Sequence, residues 1–241
     1  MSRIYPILFK TLFLATVPFA TFFLFNGQIS GEAAVAYLPP SINAEPTSAD
    51  IPQEGKYDVM LDSTCGPLTY YNQGDARWGS FLYGGQDPLI TYGCGPTVMA
   101  MLITSLTGNQ VLPTDVATWA AQNNGWCPSQ GSYHSLIPDS ASAYGLTAVP
   151  LKDYTFQGVQ NALDSGHLVV ALMKKGHFTQ QGHFLIITRS TGDGKFRIAD
   201  PNNYDNTKFD WDSSVIFQEL NYKSRNGGPL WIIGLPDSDH K

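Results

Sequence analysis

Tyr92-Gly93-Cys94-Gly95-Pro96-Thr97-Val98-Met99-Ala100-Met101-Leu102-Ile103 is the stretch from which the fold is read. Pro96 suits the first turn of a helix, where its missing N–H is no loss, and Gly108 with Asn109 supplies the stop. The spacing therefore predicts a helix over 95–107. Val98, Met99, Ala100, Met101, Leu102, Ile103 and Leu106 put apolar groups almost all round it, which predicts burial in the middle of a domain. Cys94, at the amino end, must then open on a cleft if its thiol is to react. There it faces unpaired N–H groups and the positive end of the macrodipole, which favour the thiolate. Gly93 and Gly95 are read either as leaving room for a substrate backbone or as a plain turn. The N–H of Cys94 is free to donate to a developing oxyanion.

A thiolate nucleophile needs a base, and the chain has five histidines: His134, His167, His177, His183 and His240. His240 is in the tail, His167 opens the apolar strand Leu168 to Met173, His177 lies in a polar loop, and His134 precedes a short helix. His183 follows Gly182 and opens Phe184-Leu185-Ile186-Ile187, which reads as a fully buried strand. A second strand, Lys195 to Asp200, returns after Thr191-Gly192-Asp193-Gly194, so the two are expected to form a hairpin with a four-residue turn. With Ser190 opposite Lys195, Asp200 falls opposite Leu185, and side-chain alternation puts His183, Leu185 and Asp200 on one side. A carboxylate there can hold one ring nitrogen while the other faces a thiol. The plainer reading is that Asp200-Pro201 ends a strand and His183 is a core histidine.

Helices are expected near 95–107, 114–123, 136–144 and 156–165, followed by strands near 167–173, 183–190, 195–200 and 230–234. Helices first and an antiparallel sheet second give an α+β fold. With 43% hydrophobic residues in 241, the chain can bury one sizeable core. A formal net charge of -6 and no basic cluster longer than Lys174-Lys175 exclude a nucleic-acid partner.

The amino terminus carries Arg3 and Lys10 before an apolar run, Thr11 to Phe25, and then Ala34-Val35-Ala36. That pattern predicts export, with residues 1–36 as a signal peptide or a membrane anchor. Residues 37–56 hold four prolines and no apolar periodicity, as a flexible linker does. The domain is expected over 57–236, with a tail at 237–241. An exported chain usually pairs its cysteines, and three leave one over. Cys94 is the one at a helix start; Cys65 and Cys127 sit in loops and could form a bridge.

Gly93-Cys94-Gly95-Pro96-Thr97, Gly182-His183-Phe184 and Ala199-Asp200-Pro201, in that order, resemble the double-glycine-peptidase-like cysteine peptidases of the papain superfamily. Upstream, Gln73-Gly74-Asp75-Ala76-Arg77-Trp78 resembles the Gln-x-Asp-x-x-Trp segment of the stand-alone members, and Tyr144-Gly145-Leu146 their Tyr-Gly-Leu. The similarity covers roughly residues 67 to 234. It implies a papain-like fold, with the nucleophile helix packed on an antiparallel sheet, Cys94 as nucleophile, His183 as general base and later acid, and Asp200 as orienter. It also implies an oxyanion-hole glutamine, for which Gln73 is the choice and Gln86 the other candidate. In transporter-fused members that glutamine lies only a few residues before the cysteine, whereas Gln73 is 21 before Cys94 and Gln86 is 8 before. The sequence holds no G-x-x-x-x-G-K-[ST] loop, so processing of leaders at Gly-Gly during export is not carried over.

No cofactor or metal is expected. His177 and His183 offer at most two ligands, and the acidic, aromatic stretch Tyr204 to Asp212 reads as a loop facing water. The expected activity is a secreted or surface hydrolase, a monomer, acting on peptide bonds. A cell-wall peptide amidase or transpeptidase would use the same three residues. From a different class, the domain would be an inactive surface module that binds peptides. A membrane enters only through the possible N-terminal anchor.

Overall fold

The computed structural model describes residues 59–236, which fall within one compact unit. The expected export segment, the linker, the first two residues of the expected domain and the tail lie outside the described residues. The chain enters through a hairpin, β1 (Val59–Ser63) and β2 (Gly66–Tyr70), and passes a short pair, β3 (Leu82–Tyr83) and β4 (Asp87–Pro88). Helices α1 (Leu89–Tyr92), α2 (Cys94–Thr107) and α3 (Pro113–Gln122) follow, then β5 (Trp126–Cys127), β6 (Gly131–Ser132) and α4 (Leu136–Ala143). The second half runs through β7 (Thr147–Pro150), α5 (Phe156–Asp164), β8 (Leu168–Met173), β9 (His183–Gly192) and β10 (Lys195–Ala199). It ends with a 3-10 turn (Tyr204–Lys208), β11 (Trp211–Asp212), α6 (Ser213–Glu219) and β12 (Leu230–Gly234).

Six strands form one sheet in the order β11-β10-β9-β8-β12-β7, each pair antiparallel. Alternation divides its side chains between two cores. Leu168, Val170, Leu172, Phe184, Ile186, Trp231 and Ile233 join α2, α3 and α4 on one face. Val169, Ala171, Met173, Leu185 and Ile187 join Val159 and Leu163 of α5 and Ile216 of α6 on the other. A sheet covered on both faces is built from continuous apolar runs, which is what Leu168–Met173 and Phe184–Ile187 are.

The expected order of helices and then sheet is modified by α5 and α6, which lie among the strands because the second face also needs cover. The edge strands β7 and β11, the β1–β2 hairpin and α6 were not anticipated. Four and two residues are too few in β7 and β11 for a period to show. The hairpin turn also differs: Gly192 pairs with Lys195, so the loop is Asp193-Gly194 rather than four residues. Both loop residues have positive φ, 50° and 75°, as a two-residue turn matched to strand twist demands. Two register shifts farther along then absorb the difference.

Helix α2 is the pillar of the first core: Gly95 to Ile103 are all buried, and the helix stops at Gly108 in the left-handed conformation. Leu102 is wholly buried. Leu102→Ala is therefore expected to lower the unfolding free energy by about 2–5 kcal/mol. Urea unfolding checks this through a fall in midpoint at unchanged slope.

Candidate active site

Gly93 N–H donates to Leu89 O (2.8 Å), so α1 runs by a tight turn straight into Cys94. The glycines on either side of the thiol are close-packed. A Cβ at Gly93 would stand 2.5 Å from Leu89 O, and one at Gly95 would stand 2.8 Å from both Leu136 Cδ2 and Ser132 Oγ. This corrects the reading that they leave room for substrate: their space is taken by the protein, and they let α1, β6 and α4 close around the start of α2. Gly95→Ala is expected to cost roughly 1–3 kcal/mol of stability through overpacking, read by urea unfolding.

Cys94 is half-buried and is a free thiol, as are Cys65 and Cys127. No Cys65–Cys127 bridge is formed. Cys65 is exposed on the β1–β2 turn and its thiol donates to Gly166 O (3.1 Å), while Cys127 lines the same cleft as Cys94.

His183 and Asp200 come together at the open end of the hairpin, Asp200 just beyond the last paired residues, Ile186 and Ala199. From Ile198 on, the pairing is the expected one, Ile198 opposite Ile187 and Ala199 opposite Ile186, even though Ser190 faces Phe196 instead of Lys195. His183 Nε2 and Asp200 Oδ1 are 2.7 Å apart, both side chains almost fully buried. That leaves the other ring nitrogen for the thiol of Cys94, which His183 holds below its ordinary value.

The electrostatics of the three are coupled. Burial pushes the Cys94 thiol up, but the hydrogen bond and charge of His183, with backbone N–H donation from Phe184 and Gly95, hold it below its ordinary value. Burial would discharge His183, yet the charge and hydrogen bond of Asp200, reinforced by Cys94, raise it to about 10. Burial likewise opposes ionisation of Asp200. His183, Asn206 Nδ2 (2.7 Å to Oδ2) and the N–H of Asn202 (2.9 Å to Oδ1) outweigh it and lower the carboxyl. The arrangement favours a thiolate beside an imidazolium.

Gln73 and Gln86 separate clearly. Gln73 is buried, its Nε2 donates to Ile90 O (2.8 Å) in α1, and its backbone N–H donates to Pro201 O (2.7 Å). It therefore ties the helix leading to Cys94 to the loop after Asp200. Gln86 is exposed and reaches Asp87 Oδ1 and Ser129 Oγ. The Gln-x-Asp-x-x-Trp segment is a locked turn: Trp78 Nε1 donates to Asn72 O (2.8 Å), and Asp75 accepts from Arg77 N (2.9 Å) and its guanidinium.

Sequence reasoning missed Asn206, Tyr70 and Asn72. Tyr70 Oη donates to Asp200 O (2.8 Å), and Asn72 Nδ2 to Tyr70 Oη (3.2 Å). The signal available was chemical: a buried carboxylate requires donors, and Asn202, Asn203 and Asn206 follow Asp200 closely. The stretch Tyr204 to Asp212, read as water-facing, supplies one of them. Its acids are spent on Lys208 (from Asp205), Arg197 (from Asp210) and the cap of α6 (Asp212). Of the other histidines, His177 pairs with Glu219 and His134 lines the cleft beside Cys94. His240 lies outside the described residues.

The raised value of His183 means its proton stabilises the fold fully below about 6.5 and ceases to as pH rises through about 10. For Asp200 the sign is reversed: its contribution is present above 3.8 and is lost as acid protonates it. NMR titration of the imidazole should show His183 protonated up to about pH 10. In Asp200→Asn it should titrate well below that. A wild-type midpoint near 6.5 would contradict the coupling.

A model described as the Peptidase_C39 like family matches residues 67–228, two thirds of the chain. No curated protein matches. A solved structure that is similar is described as a double glycine motif protease from an AMS/PCAT transporter in complex with the leader peptide. It is 14% identical, with a TM-score of 0.39, and the match covers 59% of this chain and 83% of that one.

Proposed function

The chain belongs to the Peptidase_C39 like family, cysteine peptidases by class, and on that premise we propose that it hydrolyses peptide bonds with Cys94 as nucleophile. The observation that carries this reading is the buried His183–Asp200 pair, Nε2 to Oδ1 at 2.7 Å, beside a thiol that His183 holds below its ordinary value. The thiolate attacks the carbonyl carbon, and His183 gives its proton to the leaving amine. It then takes a proton from water, whose oxygen displaces the thiolate from the acyl group. Asp200 fixes the ring and keeps the imidazolium favourable.

The oxyanion is assigned to the N–H of Cys94 and to Gln73. The Gln73 amide has a second N–H beyond the one given to Ile90 O, and it is anchored to α1 immediately before the nucleophile. The basic and apolar character of residues 1–25 supports export, which puts the domain outside the cell or on the outer face of its membrane.

Incubating the full chain with a peptidyl thiol-reactive probe and mapping the adduct tests the proposal. Cys94 should be labelled fastest, and His183→Ala should slow that labelling at least ~100-fold. Labelling of Cys94 that is indifferent to His183 would contradict the enzyme and favour a binding module.

A further inference from the structure

The cleft that contains Cys94, of about 570 Å³, is lined by donors of hydrogen bonds and by no carboxylate. In a chain of net charge -6 that exclusion is a property of this wall. Its cation is Arg225, whose guanidinium has no hydrogen-bond or ion-pair partner among the described residues; Arg77 pairs with Asp75 and Arg197 with Asp210, while Arg189 Nε on β9 is buried without a partner and away from this cleft.

Arg225 is not on a loose tail. Its N–H donates to His134 Nδ1 (3.1 Å), Gly228 N–H donates to Arg225 O (3.2 Å), and the indole of buried Trp231 donates to Asn226 O (2.8 Å). The loop presses so closely on Trp231 that a Cβ at Gly228 would stand 2.4 Å from the ring. His134 in turn lies edge-on to Phe184, the residue after His183 (ring centroids 6.4 Å apart).

The bond from Arg225 N also fixes the imidazole of His134: with Nδ1 accepting, Nε2 carries the proton and is a donor. Burial, then the charge of Arg225, lowers His134, which keeps it neutral. Gln130, Gln181 and Asn221 add amide donors to the same wall.

We infer that this wall is a carboxylate subsite: the peptide cleaved at Cys94 carries a carboxylate that Arg225 binds, with His134 donating beside it. An unpaired guanidinium offers two parallel N–H groups, the geometry a carboxylate accepts, and water exclusion on binding strengthens the pair. The chemistry is shared by an acidic side chain and by a chain-terminal carboxylate. The inference rests on the peptidase reading above, because it names the substrate class of that site.

Matched chloroacetyl peptides test it in the full chain, where the thiolate displaces chloride and the rate is read at Cys94 by peptide mass mapping. One pair is chloroacetyl-glycyl-glutamate amide against its glutamine analogue. The other is chloroacetyl-glycyl-glycine with a free against an amidated terminus. The acidic member of at least one pair should react about fivefold faster, the pair that does so identifying the source. That ratio should fall towards one in Arg225→Gln, survive in part in Arg225→Lys, and shrink with added salt. Ratios below about twofold in both pairs, or a preference that persists in Arg225→Gln, would overturn the subsite. Because the neutral probes report on the nucleophile independently, their His183-dependent reaction with Cys94 would leave the peptidase reading standing in that case. Neutral labelling indifferent to His183 would remove the peptidase reading, and the subsite with it.

Discussion

The carboxylate of Asp200 is completely buried, and an ion in such a place persists only if donors converge on it. Four do: His183 Nε2, the N–H groups of Asn202 and Asn203, and Asn206 Nδ2. They come from β9, from the turn after β10 and from the 3-10 turn beyond it. Satisfying one carboxylate therefore dictates the path of the chain over several residues after the sheet. The same segment is fastened to the first half of the domain. Tyr70 Oη donates to Asp200 O, Asn72 to Asn202 O, and Gln73 N–H to Pro201 O. Tyr70 is held well above its ordinary value, by burial first and then by the charge of Asp200, so it stays a neutral donor.

The consequence reaches the thiol through His183. A ring nitrogen held by an ionised, immobile acid leaves the imidazole charged and fixed in orientation, and a charged imidazole lowers the thiol beside it. The other constraint on the thiol is packing. Helix α2 is apolar all round and enclosed, and Gly93 and Gly95 let Leu89, Ser132 and Leu136 close on its first turn. The nucleophile is thus presented by a buried helix, while the acid and base are presented by a hairpin.

Much of this was legible in the sequence because it follows from local rules. The all-round apolar pattern after Cys94 and the glycine stop define α2, and the apolar runs at 168–173 and 184–187 define the central strands. The adjacency of His183 and Asp200 followed from side-chain parity, although the turn assumed for it was two residues too long. It survived because register shifts between Lys195 and Ile198 restored the pairing before Asp200. What was not legible depends on contacts distant in sequence. Nothing local shows that Tyr70 reaches Asp200, that Asn206 turns inward, that Ser132 fills the space over Gly95, or that Arg225 stands in the cleft of Cys94. The edge strands and α6 were missed because they are too short to show a period.

His183, held charged by Asp200, makes Cys94 a thiolate below the ordinary range of a thiol. The ultraviolet absorbance of the thiolate, followed against pH with Cys94→Ser as the blank, measures this directly. The Cys94 signal is expected to disappear on acidification with a midpoint below 9.0, and Asp200→Asn to move the midpoint upward. A wild-type midpoint at or above 9.0, unmoved by Asp200→Asn, would contradict it.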